Sequence, residues 1–540
     1  MKSESRASTA VEFREEKIDA IFREVNQCQL PGAAVGIAIG GRPVYRRGFG
    51  LAHMELPTLL STSMRMRIYS TTKHFTCLAY LLLCEEGKAA IDDPLVRYLP
   101  ELHPITHRVT LRHLMSNISG LRDSHDIRWQ FSGTDVPVST DDLVGFYRDI
   151  DDVNFAPGTG WRYNNGGFVL LSAAIERIAD QSLEEVLRTR IFEPAGMYDT
   201  LLRRFDTDFV PNSATMHMSA PEGGFDRSYT AGALAGEGGV VSTVDDLLRW
   251  LRHMDSPVVG TAETWKAMTT PQVLANGTST GYGFGLVAGH YRGVDTLYHA
   301  GGARGGNSQI MKVPSAGLDV AVMVNRHDVV SGLLVNRILD ACLPSLAANR
   351  AHTPRPAVIG TFHSPSSGRV IQLCASSALA FNEGAEQIVS IDGAEMAFET
   401  DDEGVMRPAG LASSMKWMIW LSCDRSAPSS LWFDDYGTQE EMVAVTPPKE
   451  PRPERILGRY RSSTTGTEVL ISESGGGAQM RCSGRFGSMT YDIECLGPDL
   501  WRAKAANATA LGGILMLDPD GRSFRYSTFC TSSLRFVREA

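Results

Sequence analysis

Several things are scarce in this sequence, and each scarcity removes a class of protein. No run of about eighteen uncharged apolar residues occurs, so no membrane-spanning helix is expected. Basic residues are outnumbered, 52 Lys and Arg against 62 Asp and Glu, for a net charge of −10. An acidic surface repels phosphate backbones and anionic lipid, so neither nucleic acid nor a membrane is an expected partner. The nine cysteines, spread from Cys28 to Cys530, form no C-x-x-C pair and are too sparse for a disulfide scaffold. Reduced thiols are expected, with Cys77 and Cys84, in an apolar stretch, packing the core. The thirteen histidines show no His-Glu-x-x-His spacing, and no metal or other cofactor is called for. The opening stretch MKSESRASTAVEFREEK carries Glu4, Glu12, Glu15 and Glu16 where a secretory signal needs apolar residues, which makes a cytoplasmic location the expectation.

What is present reads as ordinary globular protein, 43% hydrophobic and 21% charged, with more chain than one core usually supports. Up to about residue 346, helical periodicity alternates with short apolar strands. A polar, proline-marked stretch, AANRAHTPRP at 347–356, then changes the character of the chain. Short alternating segments follow, such as 369–373 and 416–421, broken by Gly, Ser, Asn and Asp as in antiparallel β structure. A second break, TPPKEPRPE at 446–454, holds four prolines. The expected division is therefore 1–346, 357–446 and 454–540. Ile359-Gly360-Thr361-Phe362-His363-Ser364 returns 98 residues later as Leu457-Gly458-Arg459-Tyr460-Arg461-Ser462, which suggests a duplicated tail domain.

The chemistry concentrates in the first segment. After Arg67-Ile68-Tyr69 comes Ser70, followed by Phe75, Leu78, Ala79, Leu82 and Leu83 at helical spacing and a stop at Gly87. Ser70 should open a buried helix with Lys73 one turn on, on the same face. Burial and the positive helix end both disfavour an ammonium, so Lys73 is expected to have a lowered pKa and to act as a base. Ser-x-x-Lys alone is weak, since composition produces on the order of one or two matches in such a chain. Two further elements strengthen it. A Gly/Pro turn, Pro157-Gly158-Thr159-Gly160-Trp161-Arg162-Tyr163-Asn164-Asn165, delivers a phenol and an amide just before an apolar helix at 168–179. Tyr163 could carry a proton from Ser70 to a leaving amine, and Asn165 could hold a substrate amide. Then Tyr298-His299-Ala300-Gly301-Gly302 is a strand that loses its side chains, as close approach to a substrate requires. The N–H groups of Ser70 and Gly302 could face an oxyanion there. Asp245-Asp246 reads as a helix start, and the glycines at 301–306 lack the Lys-Ser/Thr of a phosphate loop.

Ser70-Thr71-Thr72-Lys73, Tyr163-Asn164-Asn165 and His299-Ala300-Gly301 together resemble the three motifs of the serine β-lactamase and penicillin-binding superfamily, in its class C and peptidase branch. Asp92-Asp93-Pro94, Leu111-Arg112-His113-Leu114-Met115-Ser116, Gly238-Gly239-Val240-Val241-Ser242-Thr243 and Tyr282-Gly283-Phe284-Gly285 resemble its connecting segments, over roughly residues 20–345. The resemblance implies an α+β fold: a helical subdomain beside a five-stranded antiparallel sheet, with Ser70, Lys73, Tyr163 and His299 catalytic and no metal. A catalytic domain with two β domains behind it is similar to the D-aminopeptidases, whose tails are eight-stranded barrels, the last sending a glycine-rich loop toward the site. Arg481-Cys482-Ser483-Gly484-Arg485-Phe486-Gly487-Ser488 would be that loop. It offers arginines where an aminopeptidase places an acidic residue for the substrate amine. Length and layout also resemble the peptidases of linearised microcystin, an acidic peptide rich in D-residues, whose carboxylates Arg304 and Arg485 would suit. With Asn165, Gly301 and Gly302 these form the expected substrate contacts. The expected activity is hydrolysis of short linear peptides through an acyl-enzyme. An esterase, a β-lactamase and a non-catalytic penicillin sensor stay open, as do the oligomeric state, a homodimer included, and whether Lys73 or Tyr163 takes the first proton.

Overall fold

The computed structural model describes residues 9–220, 222–347, 357–375, 386–409, 415–422, 428–450, 452–475, 477–505 and 512–539. Most of the expected linker at 347–356 lies outside them. The chain divides into two units, each assembled from separated segments. The first takes Met1–Asp93, Phe168–Gln272 and Gly281–Thr353; the second takes Pro94–Gly167, Val273–Thr280 and Pro354–Ala540.

The first unit is built on an antiparallel sheet of β1 (Ala33–Ile39), β2 (Arg42–Phe49), β3 (Val287–Tyr291), β4 (Val294–Ala303), β5 (Gly306–Val313) and β6 (Leu318–Val324), in the order β3-β4-β5-β6-β1-β2. Six strands stand where five were expected. The additional one, β3, exists because Arg292 and Gly293 both take positive φ, 43° and 93°, a hairpin turn that folds 287–291 back onto the first half of β4. Among the described residues, the pairing of β3 with β4 ends at Tyr298.

The central strands AAVGIAI and LDVAVMV are apolar on both faces because both faces are covered. Helices α1 (Glu15–Ile21) and, last in this unit, Ser331–Cys342 send Ile18, Leu334, Val335 and Ile338 onto Val35, Ile37, Val320 and Val322. On the other face Val244–His253 presses so closely that a Cβ at Gly36 would lie 2.6 Å from Val244 and 2.8 Å from Leu248. That helix starts as expected at Asp245-Asp246, capped by Thr243, whose hydroxyl accepts from the Asp246 N–H at 3.1 Å.

In the second unit, residues 360–445 and 458–538 form two closed barrels of eight sequential antiparallel strands each. Thr361 pairs with Val445 to close the first, and Tyr460 with Arg538 to close the second. Closure leaves no sheet edge exposed. The suspected duplication is visible in detail. Ser364 donates its N–H to Arg369 O and accepts from Gly368 N at its carbonyl, both at 2.9 Å; Ser462 repeats this with Thr467 O at 3.0 Å and Gly466 N at 2.9 Å.

The second barrel is seated on α2 (Ser124–Ser132), which Asp123 caps. Tyr491 donates to Gln130 O at 2.7 Å, and Thr528 and Thr531 both donate to Asp126 Oδ2 at 2.7 Å. The glycine-rich turn of 483–488 docks on the end of that helix, Gly484 N–H donating to Phe131 O at 3.0 Å.

Burial, with the Asp123 charge behind it, pushes the Asp126 carboxyl up to about 6. Its neutral form is thus favoured by folding. The associated stability is complete below the unfolded-state value near 3.8 and is lost as pH rises through 6, a swing of about 3 kcal/mol. Asp126→Asn keeps the acceptor and removes the titration. Urea unfolding at pH 4 and pH 7 is expected to show the parent losing about 2 kcal/mol more than the variant between the two, part of the swing lying below pH 4.

Candidate active site

Ser70 lies in a 3₁₀ turn, Tyr69–Thr72, immediately before the helix Lys73–Glu85, so it precedes the helix it was expected to open. The helix ends as read: Gly87 at φ 71° donates to Cys84 O, and Lys88 N–H to Leu83 O. Tyr69 carries the turn at φ 49°, a left-handed value costly for a bulky residue. The surroundings enforce it. Thr71 Oγ1 donates to His299 O at 3.3 Å, Ser308 Oγ donates to Ile68 O at 2.7 Å, and Tyr69 Oη donates to Arg304 O at 3.4 Å. These bonds stitch the turn to β4 and β5.

Lys73 is fully buried. Its Nζ donates to Ser70 Oγ at 3.1 Å and to Glu237 O at 2.7 Å, and stands 5.2 Å from the Phe168 ring centroid. The serine hydroxyl itself is only partly covered. Here the expected pairing of Ser70 with Lys73 exists as a hydrogen bond.

His299, on β4, is buried, and desolvation followed by the nearby Lys73 ammonium pushes its imidazole down to about 3. It is neutral at any working pH. Nδ1 lies 2.6 Å from Ala300 O and Nε2 3.0 Å from Tyr282 Oη. A carbonyl only accepts, so the proton sits on Nδ1 and Nε2 accepts from the phenol. The tautomer follows from the carbonyl alone. Gly301 explains the missing side chains: a Cβ there would lie 2.1 Å from Ile68 O and 2.8 Å from Ser70 N. Gly302 pairs with Asn307, and Arg304 sits in the turn between β4 and β5.

Tyr163 and Asn165 belong to the other unit, where their backbone is held on both sides. Arg162 N–H donates to Asn117 O at 3.0 Å, Asn164 N–H to Asn117 Oδ1 at 3.1 Å, and Asn165 N–H to Asp123 Oδ2 at 2.9 Å. Asn117 accepts twice because it sits at φ 60°. The following helix runs over Asn165–Ala179, three residues earlier than the sequence suggested, so Asn165 is its first residue. Arg485 lies in the docked turn and pairs with Asp149 at 3.3 Å, both exposed. The structure thus brings together Ser70, Lys73, His299 and Gly301 in one unit, while Tyr163, Asn165 and Arg485 lie in the other.

Sequence reasoning missed Tyr282, Glu237, Asn117 and Asp123. Tyr282 stood in a quoted segment without a role, and its aromatic neighbours gave no sign of a partner for His299. Glu237 contributes a backbone carbonyl, which no side-chain pattern reveals. Asp123 and Asn117 flank Gly120, and an Asn before a Ser-Gly turn was the available signal. Among the described residues no cluster of His, Cys, Asp or Glu could hold a metal ion, and no helix is long and apolar enough to cross a membrane.

A helix-flanked antiparallel sheet with a partly buried Ser bonded to a buried Lys beside one strand, followed by two closed barrels, defines a β-lactamase-like protein with a double-barrel tail. The chain belongs to the Beta-lactamase family, whose model matches residues 18–341. It is similar to the D-aminopeptidase of Brucella canis, 28% identical over 490 residues, 87% of either chain. Its fold resembles the octameric penicillin-binding protein homologue from Pyrococcus abyssi, with TM-score 0.57 and 18% identity, covering 97% of this chain and 100% of that one. It also resembles the D-amino acid amidase of Ochrobactrum anthropi SV3, with TM-score 0.51 and 22% identity, covering 61% of this chain and 98% of that one.

Gly301→Ala forces the Ser70 main chain away from β4. Acylation of Ser70 by an activated ester, followed by intact-protein mass, is expected to slow by about 10²-fold, the scale of losing one oxyanion donor.

Proposed function

We propose that this protein is a serine hydrolase that cleaves amide bonds in short peptides or amides containing D-residues, by way of an acyl-enzyme on Ser70. The observation that carries the reading is the 3.1 Å bond between the buried Lys73 ammonium and the Ser70 hydroxyl. The D-aminopeptidase relatives, matched over 87% of the chain, support the substrate class.

In the cycle we envisage, Ser70 Oγ attacks the substrate carbonyl carbon as its proton passes to Lys73 in its neutral amine form, or to Tyr163 as a phenolate beside the Lys73 ammonium. The carbonyl oxygen becomes an oxyanion, held by the N–H groups of Ser70 and Gly302. Tyr163 then gives a proton to the leaving nitrogen, the C–N bond breaks, and the acyl group stays on Ser70 as an ester. Water, deprotonated along the same route, releases the acid and restores the hydroxyl. Neutral His299 shapes the wall beside the serine without charge. Asn165 would hold a substrate amide, and Arg304 and Arg485 its carboxylates. Linearised microcystin, acidic and rich in D-residues, is the substrate these arginines would suit. In this reading residues 1–346 form the hydrolase domain, with 357–446 and 454–540 as barrel domains, and the protein works in the cytoplasm.

Ser70→Ala is expected to abolish hydrolysis of D-residue peptides, read by mass spectrometry of the products, with a single cooperative unfolding transition retained. Retention of turnover in that variant would refute the acyl-enzyme. If the wild type instead opened a cephalosporin or an ester and left every such peptide intact, the substrate class would be wrong and the nucleophile right.

A further inference from the structure

The residues immediately before Tyr163 make contacts that a simple turn does not need. Arg162 reaches into the tail: Nη1 donates to Phe529 O at 3.1 Å and to Ser532 Oγ at 2.9 Å, and Nη2 lies 3.8 Å from Asp435 Oδ2. Phe529 and Ser532 belong to the turn before the last strand of the second barrel; Asp435 ends a strand of the first. Trp161, one residue earlier, stacks on Tyr436 with ring centroids 5.2 Å apart at 24°. Arg162 is therefore held by both barrels and Trp161 by the first, and the next residue is the phenol.

The turn they hold is itself fixed. Thr528 and Thr531 bind Asp126, Asn154 Nδ2 donates to Cys530 O at 3.0 Å, Ser532 N–H donates to Asn154 Oδ1 at 2.9 Å, and Arg122 donates to Ser532 O. Asp435 is equally anchored, accepting from Trp417 Nε1 and Arg369 Nη2, both at 2.8 Å. A guanidinium with 13% of its side chain exposed, bridging two anchored acceptors, transmits their positions to its own backbone. One residue on, that backbone carries the Tyr163 side chain.

We infer that Arg162 is a positioning residue, through which the two barrels set the placement of the Tyr163 phenol. The tail is thereby part of the proton-transfer apparatus. The inference rests on the role given to Tyr163 above, and the two can be tested apart. If Tyr163 protonates the leaving nitrogen, its loss should matter for an amide and little for a p-nitrophenyl ester, whose leaving group departs without a proton.

The experiment measures kcat and KM for a D-alanine amide and the matching p-nitrophenyl ester, in the wild type, Arg162→Ala, Tyr163→Phe and the double variant, alongside thermal unfolding. Tyr163→Phe is expected to lower kcat for the amide by about 10²-fold or more and to leave the ester within a few-fold. Arg162→Ala should lower the amide kcat by about tenfold to 10²-fold, spare the ester, and add nothing in the double variant. Arg162→Lys, which keeps the charge but not the fork, should recover part of the loss. Loss in Arg162→Ala on a substrate that Tyr163→Phe leaves unaffected, or multiplication of the two effects, would overturn the inference and assign Arg162 to stability. Unchanged amide turnover in Tyr163→Phe would overturn the role of Tyr163 instead. Should Arg162→Ala fail to fold, Ser532→Ala and Asp435→Asn, each removing one partner, are expected to give the same amide-selective loss in smaller measure, and their absence would count against it.

Discussion

Burying an ammonium is expensive, and the site is organised around how that expense is met at Lys73. An ammonium taken out of water must be given acceptors, and here two of them are the carbonyl of Glu237 and the hydroxyl of Ser70. The face of Phe168 adds a cation–π contact at 5.2 Å. Much else follows from accommodating that group. Tyr69 is driven to a left-handed φ so that the serine can meet the amine, Gly301 is bare so that the strand can come against the serine's backbone, and His299 is kept neutral by its burial and then by the charge nearby. His299 and Lys73 can share one wall because only one of them is charged.

How much of this was legible depended on which part of the chain does the work. Ser70, Lys73 and Gly301 were readable because their roles are carried by side-chain type and spacing: a hydroxyl, an amine three residues on, and a place where any side chain would collide. The barrels were readable from alternating short segments and from the Gly-aromatic repeat 98 residues apart, which the matching turns at Ser364 and Ser462 bear out. Glu237 was invisible because a carbonyl looks the same in every residue. The sixth strand was missed because its existence depends on positive φ at Arg292, where sequence favours Gly or Asn. Tyr282 was in plain view and gave no cue, since its function lies in a partner 17 positions away.

The second unit treats polarity differently from the first. Around Asp126, Arg122, Asn154 and Arg162, the seat of the last barrel adds charged and amide groups with directed, matched hydrogen bonds to the packing of Phe131 on Tyr526 and Phe536. Such contacts penalise misalignment, because each donor left without its acceptor in the interior costs about 1–3 kcal/mol. They specify one seating where a greasy contact would tolerate several. The glycine-rich turn joins this seat through its backbone, Gly484 donating to Phe131 O, which leaves Arg485 at the surface to pair with Asp149.

The interleaving of segments also bears on how the protein is made. Asp126 meets Thr528 and Thr531 across 402 and 405 positions. At ribosomal speeds of about 5–20 residues per second, the helix that carries it waits roughly 20–80 s for those hydroxyls to emerge. Even once the nascent chain is long enough to contain Ser70, Lys73 and His299, the Asp126 carboxyl still lacks the two hydroxyls that bind it. Completion of the second unit therefore waits on the last strands of the second barrel, and their arrival, more than any early nucleus, sets when that unit first closes.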